Sequence, residues 1–238
     1  MKKILQQNQH RPWALPNKPW RFYQEWNRAI FLHWQVDLED LKNLVPDELE
    51  IDLFEGKPWV SLVAFTMEKI RPRFMPAFSP VSNFNEINIR TYIKSKHKTG
   101  VYFLSIEGGK RASCFLARAI SELPYRYSKI KRKPGSFVSE NTTLGDSIEI
   151  EFNIGQKQNK EELDDWLTER YALFQETKKA INEYEIHHLE WPVQELDLIK
   201  LKLKYPRFKH LIGRSPDKTQ YSTGVRVLAY SKEIKKCL

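Results

Sequence analysis

The chain has 238 residues, 13% of them aromatic, so it can bury a substantial core, and this composition excludes a disordered chain. Lysine and arginine number 39 against 30 acids, and the resulting net charge of +9 permits a nucleic-acid partner without requiring one. Two cysteines, Cys114 and Cys237, are too few for a disulfide framework, so we expect a reducing compartment.

No segment of the sequence indicates export or insertion into a membrane. No apolar run precedes Arg11, and no stretch approaches the length of a membrane span. We therefore expect a cytoplasmic protein with no membrane partner. Without repeats or a linker, residues 1–238 predict a single domain, with an extended N-terminal arm over about 1–24, a core over 25–230 and a tail over 231–238.

The first part of the chain is predicted to be mainly strands. Residues 29–36 form an apolar run typical of a buried strand, and Asp37 is placed to cap a helix over 38–44 that Pro46 ends. Residues 49–54 and 59–67, joined by a turn that contains Gly56, predict a β-hairpin. A loop rich in proline follows over 71–80.

Residues 84–93 carry the clearest strand pattern of the chain. Side chains of a strand alternate between its two faces, so one face is apolar and β-branched and the other is polar. The apolar face holds Ile87, Ile89, Thr91 and Ile93, and the polar face holds Glu86, Asn88, Arg90 and Tyr92. Such a polar face meets either water or a polar cavity, and the pattern alone leaves both open.

The second part of the chain mixes strands with two helices. Residues 112–123 predict a helix packed on the sheet through apolar residues that include Phe115 and Ile120, and 160–175 predict an amphipathic helix. Residues 101–106, 125–127, 148–154, 185–205 and 223–230 predict strands, with one wet face on 148–154 and an edge position for the last. This order indicates an α+β fold around a barrel-like or strongly curved antiparallel sheet.

Seven motifs spread over residues 11–230 resemble the uncharacterised YqjF-like family. They are Phe31-Leu32-His33-Trp34, Leu44-Val45-Pro46-Asp47-Glu48-Leu49-Glu50, Trp59-Val60-Ser61-Leu62-Val63-Ala64-Phe65, Asn85-Glu86-Ile87-Asn88-Ile89-Arg90-Thr91-Tyr92, Leu123-Pro124-Tyr125-Arg126, Leu167-Thr168-Glu169-Arg170-Tyr171 and His187-His188-Leu189-Glu190-Trp191-Pro192. That family is similar to acetoacetate decarboxylase. The resemblance implies a cone-shaped antiparallel β-barrel with a few inserted helices and a ligand cavity.

The resemblance also implies a site and a departure from the decarboxylase's chemistry. Asn85-Glu86 is similar to the Asn-Glu that introduces an active-site strand in the decarboxylase, and residues 123–126 occupy the place of its Phe-Pro-Lys-Lys. The first of those lysines is the Schiff-base nucleophile, whereas Tyr125 and Arg126 stand here. Arginine cannot lose its proton in a protein, so Schiff-base decarboxylation is disfavoured, unless Lys129 or Lys131 points inward.

Most candidate site residues lie on the polar face of the strand over 84–93 and in the segment that follows the predicted helix over 112–123. Catalytic candidates are Glu86, Tyr125 and Arg126, and ligand-binding candidates are Asn88, Arg90, Tyr127 and His187. Arginine pairs could hold a small carboxylate or phosphate while Glu86 acts as a base. The alternative is an internal salt bridge between Glu86 and an arginine that only satisfies buried charges.

We expect no metal site and no cofactor. His187 and His188 are adjacent, so on a strand they point to opposite faces and cannot join His33 around one ion without distortion. One of the pair could face the cavity as a proton carrier, or as a hydrogen-bonded core histidine.

Three functions remain open at this stage. The first is binding of a small anionic or carbonyl-containing molecule by a lyase or hydrolase that does not use Schiff-base chemistry. The second is a non-catalytic ligand-binding or sensor protein. The third, a nucleic-acid module that uses the basic segment 126–133, is disfavoured because charge runs are usually solvated faces. The sequence permits a homo-oligomer but does not require one.

Overall fold

The computed structural model describes residues 1–95, 98–177 and 180–235, which are mostly β-strand. The strands are β1 (Phe22–Gln35), β2 (Glu50–Ile51), β3 (Trp59–Pro72), β4 (Phe84–Ser95), β5 (Lys98–Gly108), β6 (Arg126–Tyr127), β7 (Lys129–Lys133), β8 (Ser136–Asn141), β9 (Asp146–Lys157), β10 (Ala172–Glu176), β11 (Ile181–His187), β12 (Val193–Lys204), β13 (Lys218–Ala229) and β14 (Glu233–Lys235). The helices are α1 (Lys2–Gln6), α2 (Leu38–Lys42), α3 (Ser79–Ser82), α4 (Arg111–Ser121), α5 (Glu162–Thr168) and α6 (Lys209–Ile212), with a 3₁₀ turn at Pro206–Phe208. The expected α+β class is confirmed.

Seven of the strands form a closed ring. Their hydrogen-bonded order is β11, β10, β5, β4, β3, β1 and β13, and β13 pairs back onto β11 where His187 lies opposite Leu228. Neighbours in the ring are antiparallel except β10 and β5, which run parallel. Every ring strand therefore has one face directed into the ring and one directed outward.

Four more strands continue the sheet from β13 and pack against the outer face of the ring. They follow in the order β12, β9, β8 and β7, and β7 returns to the ring, where Arg132 donates to the carbonyl of Ala64 on β3 at 3.5 Å. Phe137 of β8 packs in one hydrophobic cluster with Ile87 and Ile89 of β4. Because this extension covers the ring from outside, the face that holds Ile87 and Ile89 is the outer face.

A second hydrophobic cluster fills the inner face and draws on most strands of the ring. Its buried members include Phe31, Phe65, Tyr92, Leu173 and Val227. Helices α4 and α5 contribute Cys114 and Leu167 to the same cluster, so each of these helices packs against the inner face. These contacts place α4 and α5 next to any site inside the ring.

Several local predictions are confirmed. Asp37 caps α2 by accepting from the backbone N–H groups of Glu39 and Asp40 at 2.8 and 3.3 Å, although the helix ends at Lys42. Buried and less buried residues alternate over the first half of β9, which gives it the predicted wetter face. Residues 112–121 are helical, as expected. These features depend on residues close together in the sequence, so the local sequence pattern predicts them.

Three predictions about strand and helix partners are wrong. The hairpin of residues 49–54 with 59–67 does not form, because β3 has β1 and β4 on its two edges and the short β2 pairs with β4 instead. The strand over 223–230 is not an edge, since β13 lies between β1 and β12. The helix over 160–175 ends at Thr168, because residues 172–176 form β10 between β5 and β11. Long-range pairing overrides the local pattern in each case.

The N-terminal segment lies against the outside of the ring. Residues 7–21 contain no helix or strand, and Trp13 donates through Nε1 to Glu185 at 2.8 Å. Helix α1 buries Ile4 against Tyr23 and Leu228. Cys237 lies outside the described residues, whereas Cys114 is buried and free. In the part of the chain that the structure describes, no helix has the length and apolar character needed to cross a bilayer.

Candidate active site

The polar side chains of β4 point into the ring. Glu86, Asn88, Arg90 and Tyr92 are all at least nine-tenths buried, and Tyr92 belongs to the inner cluster. The alternate residues of the strand belong to the outer cluster. We call Glu86, Asn88, Arg90 and Tyr92 the inner row. The alternation of polar and apolar side chains along this strand was predicted. Because the strands close into a ring, the polar face meets the protein interior rather than water.

Glu86 is a buried carboxyl held by neutral donors. It is 2% exposed, and it accepts hydrogen bonds from the Tyr125 hydroxyl at 2.7 Å and from the Asn88 amide at 3.3 Å. Burial raises the pKa of Glu86 to about 7, against the smaller lowering effect of the two hydrogen bonds. Among the described residues no lysine or arginine forms an ion pair with Glu86, so the alternative of an internal salt bridge is wrong.

Arg90 is a buried cation without an acidic partner in the described chain. It is 8% exposed, Nη2 donates to the Leu167 carbonyl at 3.1 Å, and Nε has no hydrogen-bond partner. The Asn88 side-chain oxygen, on the same face of the strand, also lacks a partner. Burying a charged guanidinium costs free energy that one carbonyl contact does not offset, so this end of the inner row is suited to an anion.

A hydrogen-bonded chain of buried side chains supports Tyr92. The Tyr92 hydroxyl lies 3.0 Å from the Leu167 carbonyl and 2.5 Å from Ser61 Oγ. Ser61 Oγ in turn lies 2.6 Å from His33 Nδ1. His33 Nε2 lies 3.1 Å from the Gln220 side-chain oxygen. Burial lowers the pKa of His33 to about 3, so its imidazole is neutral. These hydrogen bonds are not predictable from the sequence, because the unbroken apolar run around His33 does not alternate.

Tyr125 and Arg126 do not belong to one site. Tyr125 packs in the inner cluster and bonds Glu86, whereas Arg126 donates through Nη2 to Ser105 Oγ. Ser105 lies opposite Ile89 in the register of β4 and β5, which is the outer face. Adjacent residues of an extended chain point to opposite faces, so the expected convergence of Glu86 and Arg126 is wrong.

Arg126 instead joins a polar cluster on the outer face. Glu107, 1% exposed, accepts hydrogen bonds from Ser105 at 3.4 Å and from Ser128, and Asn141 donates to Ser128 at 3.0 Å. We call Ser105, Glu107, Arg126, Ser128 and Asn141 the outer network. Its carboxylate has hydroxyl donors on both oxygens and a guanidinium one hydroxyl away.

The remaining ligand-binding candidates lie away from the inner row. Tyr127 is 36% exposed, with the Arg111 guanidinium 4.2 Å from its ring. His187 is on the outer face, where it donates to the Ile4 carbonyl at 2.8 Å, and burial lowers its pKa to about 4. His188 is the histidine that contacts the inner cluster, through Trp191 at 5.8 Å between ring centroids.

The two lysines that the sequence allowed as inward-pointing nucleophiles lie on the surface. Lys129 and Lys131 are exposed on β7, so the expectation that one of them could point inward is wrong. No lysine of the described residues is among the buried side chains. Over the same residues, no group of three or more His, Cys, Asp or Glu side chains could hold a metal ion.

Solved structures with a similar fold belong to the acetoacetate decarboxylase-like class. The acetoacetate decarboxylase of Legionella pneumophila has a TM-score of 0.64 and 13% sequence identity, with 94% of this chain and 91% of that chain covered. The enduracididine biosynthesis enzyme MppR, solved in complex with pyruvate, has a TM-score of 0.60 and 11% identity, with 93% and 91% covered. At these identities the likeness concerns the fold, which is the one the sequence predicted.

Sequence comparison then gives the family. Residues 23–226 match DUF2071, described as an uncharacterized conserved protein. The uncharacterized protein YqjF of Bacillus subtilis (strain 168) is 33% identical, over 77% of this chain and 79% of that protein. The chain belongs to this family of uncharacterized proteins.

Proposed function

We propose that the chain binds a small molecule with a carboxylate and a carbonyl inside the ring, between Arg90 and Glu86, and transfers a proton without forming a lysine Schiff base. One observation carries the proposal. The inner row of β4 holds a carboxyl with a pKa of about 7 and a buried guanidinium that has no acidic partner in the described chain.

Arg90 is the proposed binding group for the ligand's carboxylate. Its Nε–H is buried and unpartnered, and a charge-assisted hydrogen bond from this group to a carboxylate would offset the cost of burying the guanidinium. Glu86 and Arg90 are four residues apart on one strand face, so their Cα atoms are about 13 Å apart. Both side chains are directed into the ring, so the proposed ligand lies between them, beside Asn88.

Glu86 and Tyr125 are the proposed proton-transfer pair. A carboxyl with a pKa of about 7 is present in both protonation states at neutral pH, which suits a general acid or base. Placed beside the carbon next to a carbonyl, the carboxylate form can remove a proton and return it. The Tyr125 hydroxyl stays bonded to the carboxyl and keeps it oriented.

Two further observations support this chemistry over Schiff-base chemistry. The resemblance to acetoacetate decarboxylase implies that Tyr125 takes the place of its lysine, and a phenol cannot form an imine with a ketone. Lysines of the described residues are absent from the buried set. The pyruvate bound by the similarly folded MppR supports a small keto acid as the ligand class.

Thermal unfolding with pyruvate, acetoacetate, acetate and phosphate tests the binding proposal. A ligand bound only by the folded state raises the midpoint, and we expect this with a keto acid for the wild-type chain. Arg90→Met should lose the shift, while Arg126→Met, the matched arginine of the outer network, should keep it. Arg90→Lys, which retains the charge, serves if Arg90→Met does not fold. A shift that Arg126→Met alone abolishes contradicts the proposed site.

The same ligand then separates an enzyme from a binding protein. Deuterium exchange at the methyl group of pyruvate, followed by NMR in heavy water, reports proton transfer beside the carbonyl. We expect exchange by the wild-type chain and much slower exchange by Glu86→Gln, with ligand binding retained. Binding without exchange in the wild-type chain assigns the site to a non-catalytic ligand-binding protein.

A further inference from the structure

Helix α4 and the loop before α3 expose a group of apolar side chains that the proposed function does not use. On the loop, Phe74 is 90% exposed, Met75 57% and Phe78 66%, and on α4 Phe115 is 68% and Ile120 50% exposed. Single exposed apolar residues are common, whereas a group of large ones marks an interaction surface. The helix was predicted to pack these side chains on the sheet, and that prediction is wrong for Phe115 and Ile120.

The loop and the helix form one surface. Ser113 of α4 donates to the Val81 carbonyl of α3 at 3.0 Å, and Lys110 donates to the Pro80 carbonyl at 3.3 Å. Phe78 begins the same turn, because its carbonyl accepts from the Val81 N–H at 3.1 Å. Phe78 therefore lies next to the first turn of α4, and residues 73–77 lead directly into this contact. We call residues 73–78 and the exposed side of α4 the apolar platform.

The backbone at the tip of the platform points to a role outside the chain. Phe74 has φ of 70°, a left-handed conformation that is strained for a bulky residue. Its side chain is nearly fully exposed, and the Arg73 guanidinium lies 4.7 Å from its ring, an exposed contact that offsets little of this strain. Such an outlier at an exposed aromatic residue indicates that the side chain acts on something the chain itself does not supply.

The charges around the platform select the kind of partner. Residues 69–85 and 108–121 contain six basic residues: Lys69, Arg71, Arg73, Lys110, Arg111 and Arg118. Lys69 is ion-paired with Glu25, and the exposed Glu122 that follows α4 is ion-paired with Lys232. A second copy docked through the same surface would bring like charges together, which disfavours self-association. An anionic surface with an apolar layer beneath it complements both features.

We propose that the apolar platform docks on an anionic lipid bilayer, with Phe74, Phe78 and Phe115 inserted at the interface and the basic residues against the headgroups. The sequence-based expectation of no membrane partner rested on the lack of a spanning segment. Lying on a bilayer requires no such segment, because it depends on an exposed apolar face and positive charge. The proposal is independent of the ligand site in the ring.

Co-sedimentation of the full chain with vesicles tests it. We expect binding to vesicles of phosphatidylcholine with about one third phosphatidylglycerol, weakened by salt, and little binding to phosphatidylcholine alone. Phe74→Asn removes the aromatic ring but keeps a residue that tolerates the left-handed backbone, so it should fold normally and bind about tenfold or more weakly. The matched control is Ile199→Thr, which changes an exposed apolar residue on β12 and should bind as the wild-type chain does.

Two results would overturn the proposal. One is equal or absent binding to both kinds of vesicle. The other is a concentration-dependent dimer in analytical ultracentrifugation that Phe74→Asn or Phe115→Gln converts to a monomer, because the platform would then be a contact between copies of this chain.

Discussion

The inner row and the outer network are two buried polar groups on opposite faces of the same sheet. Each contains one buried glutamate, and the two glutamates have different hydrogen-bond donors. Glu107 of the outer network accepts from serine hydroxyls on both oxygens, with Arg126 bonded to one of those serines. Glu86 of the inner row has only a phenol and an amide, and its pKa rises to about 7. A polar network with a cation nearby holds structure together, while a carboxyl kept apart from its nearest buried cation is suited to chemistry.

The largest expected difference between the two regions is in proton transfer. If Glu86 is the acid and base, Glu86→Gln should slow the deuterium exchange of pyruvate by about 10²–10⁴-fold, the usual contribution of a positioned general base. Glu107→Gln makes the same chemical change on the other face and should leave the rate of the folded protein near the wild-type value. Equal losses in both variants would contradict the assignment of chemistry to the inner row.

The pH dependence of stability is the next largest difference. Between pH 4.5 and about 7 the folded chain holds a proton on Glu86 that the unfolded chain has released, so the free energy of unfolding falls as pH rises through this window. A pKa raised from 4.5 to about 7 corresponds to roughly 3 kcal/mol of lost stability above pH 7. Denaturant unfolding of the wild-type chain and of Glu86→Gln at pH 5 and pH 8 measures it.

The variant supplies the control for that measurement. Glu86→Gln cannot titrate at this position, so the difference in stability between the wild-type chain and the variant should change between pH 5 and pH 8. A difference that stays constant with pH would show that Glu86 has an ordinary pKa in the folded chain.

The smallest effect concerns the bond between Tyr125 and Glu86. The phenol stabilises the carboxylate form, so Tyr125→Phe should raise the pKa of Glu86 by about one unit more, the equivalent of one hydrogen bond to a charged group. Infrared titration of the protonated carboxyl follows this shift, with Glu86→Gln as the spectral blank. A lowered or unchanged pKa would mean that the hydroxyl does not hold the carboxylate.

The polar face of β4 can be predicted from the sequence, because the alternation of side chains along a strand does not depend on the tertiary fold. It could not say that this face points inward, because that depends on the pairing of β11 with β13, distant in sequence from β4. The same long-range pairing turned residues 172–176 from an expected helix into β10. The family resemblance supplied the fold that the local pattern could not.

The prediction that Tyr125 and Arg126 belong to one site is wrong, and the sequence already contained the reason. Adjacent residues of a strand point to opposite faces, which separates Tyr125 from Arg126 just as it separates His187 from His188. Arg90, two residues from Asn88 on the correct face, is the arginine that alternation favours. Both arginines have a buried Nε without a hydrogen-bond partner, and the deeper burial of Arg90, which makes it the stronger candidate, is visible only in the folded chain.

A crystal structure of the wild-type chain soaked with pyruvate tests the central claim most directly. The account predicts density inside the ring, with the carboxylate against Arg90 and the rest of the molecule directed toward Glu86 and Tyr125. Density beside Arg126 on the outer face, or pyruvate joined covalently to a lysine, would contradict it.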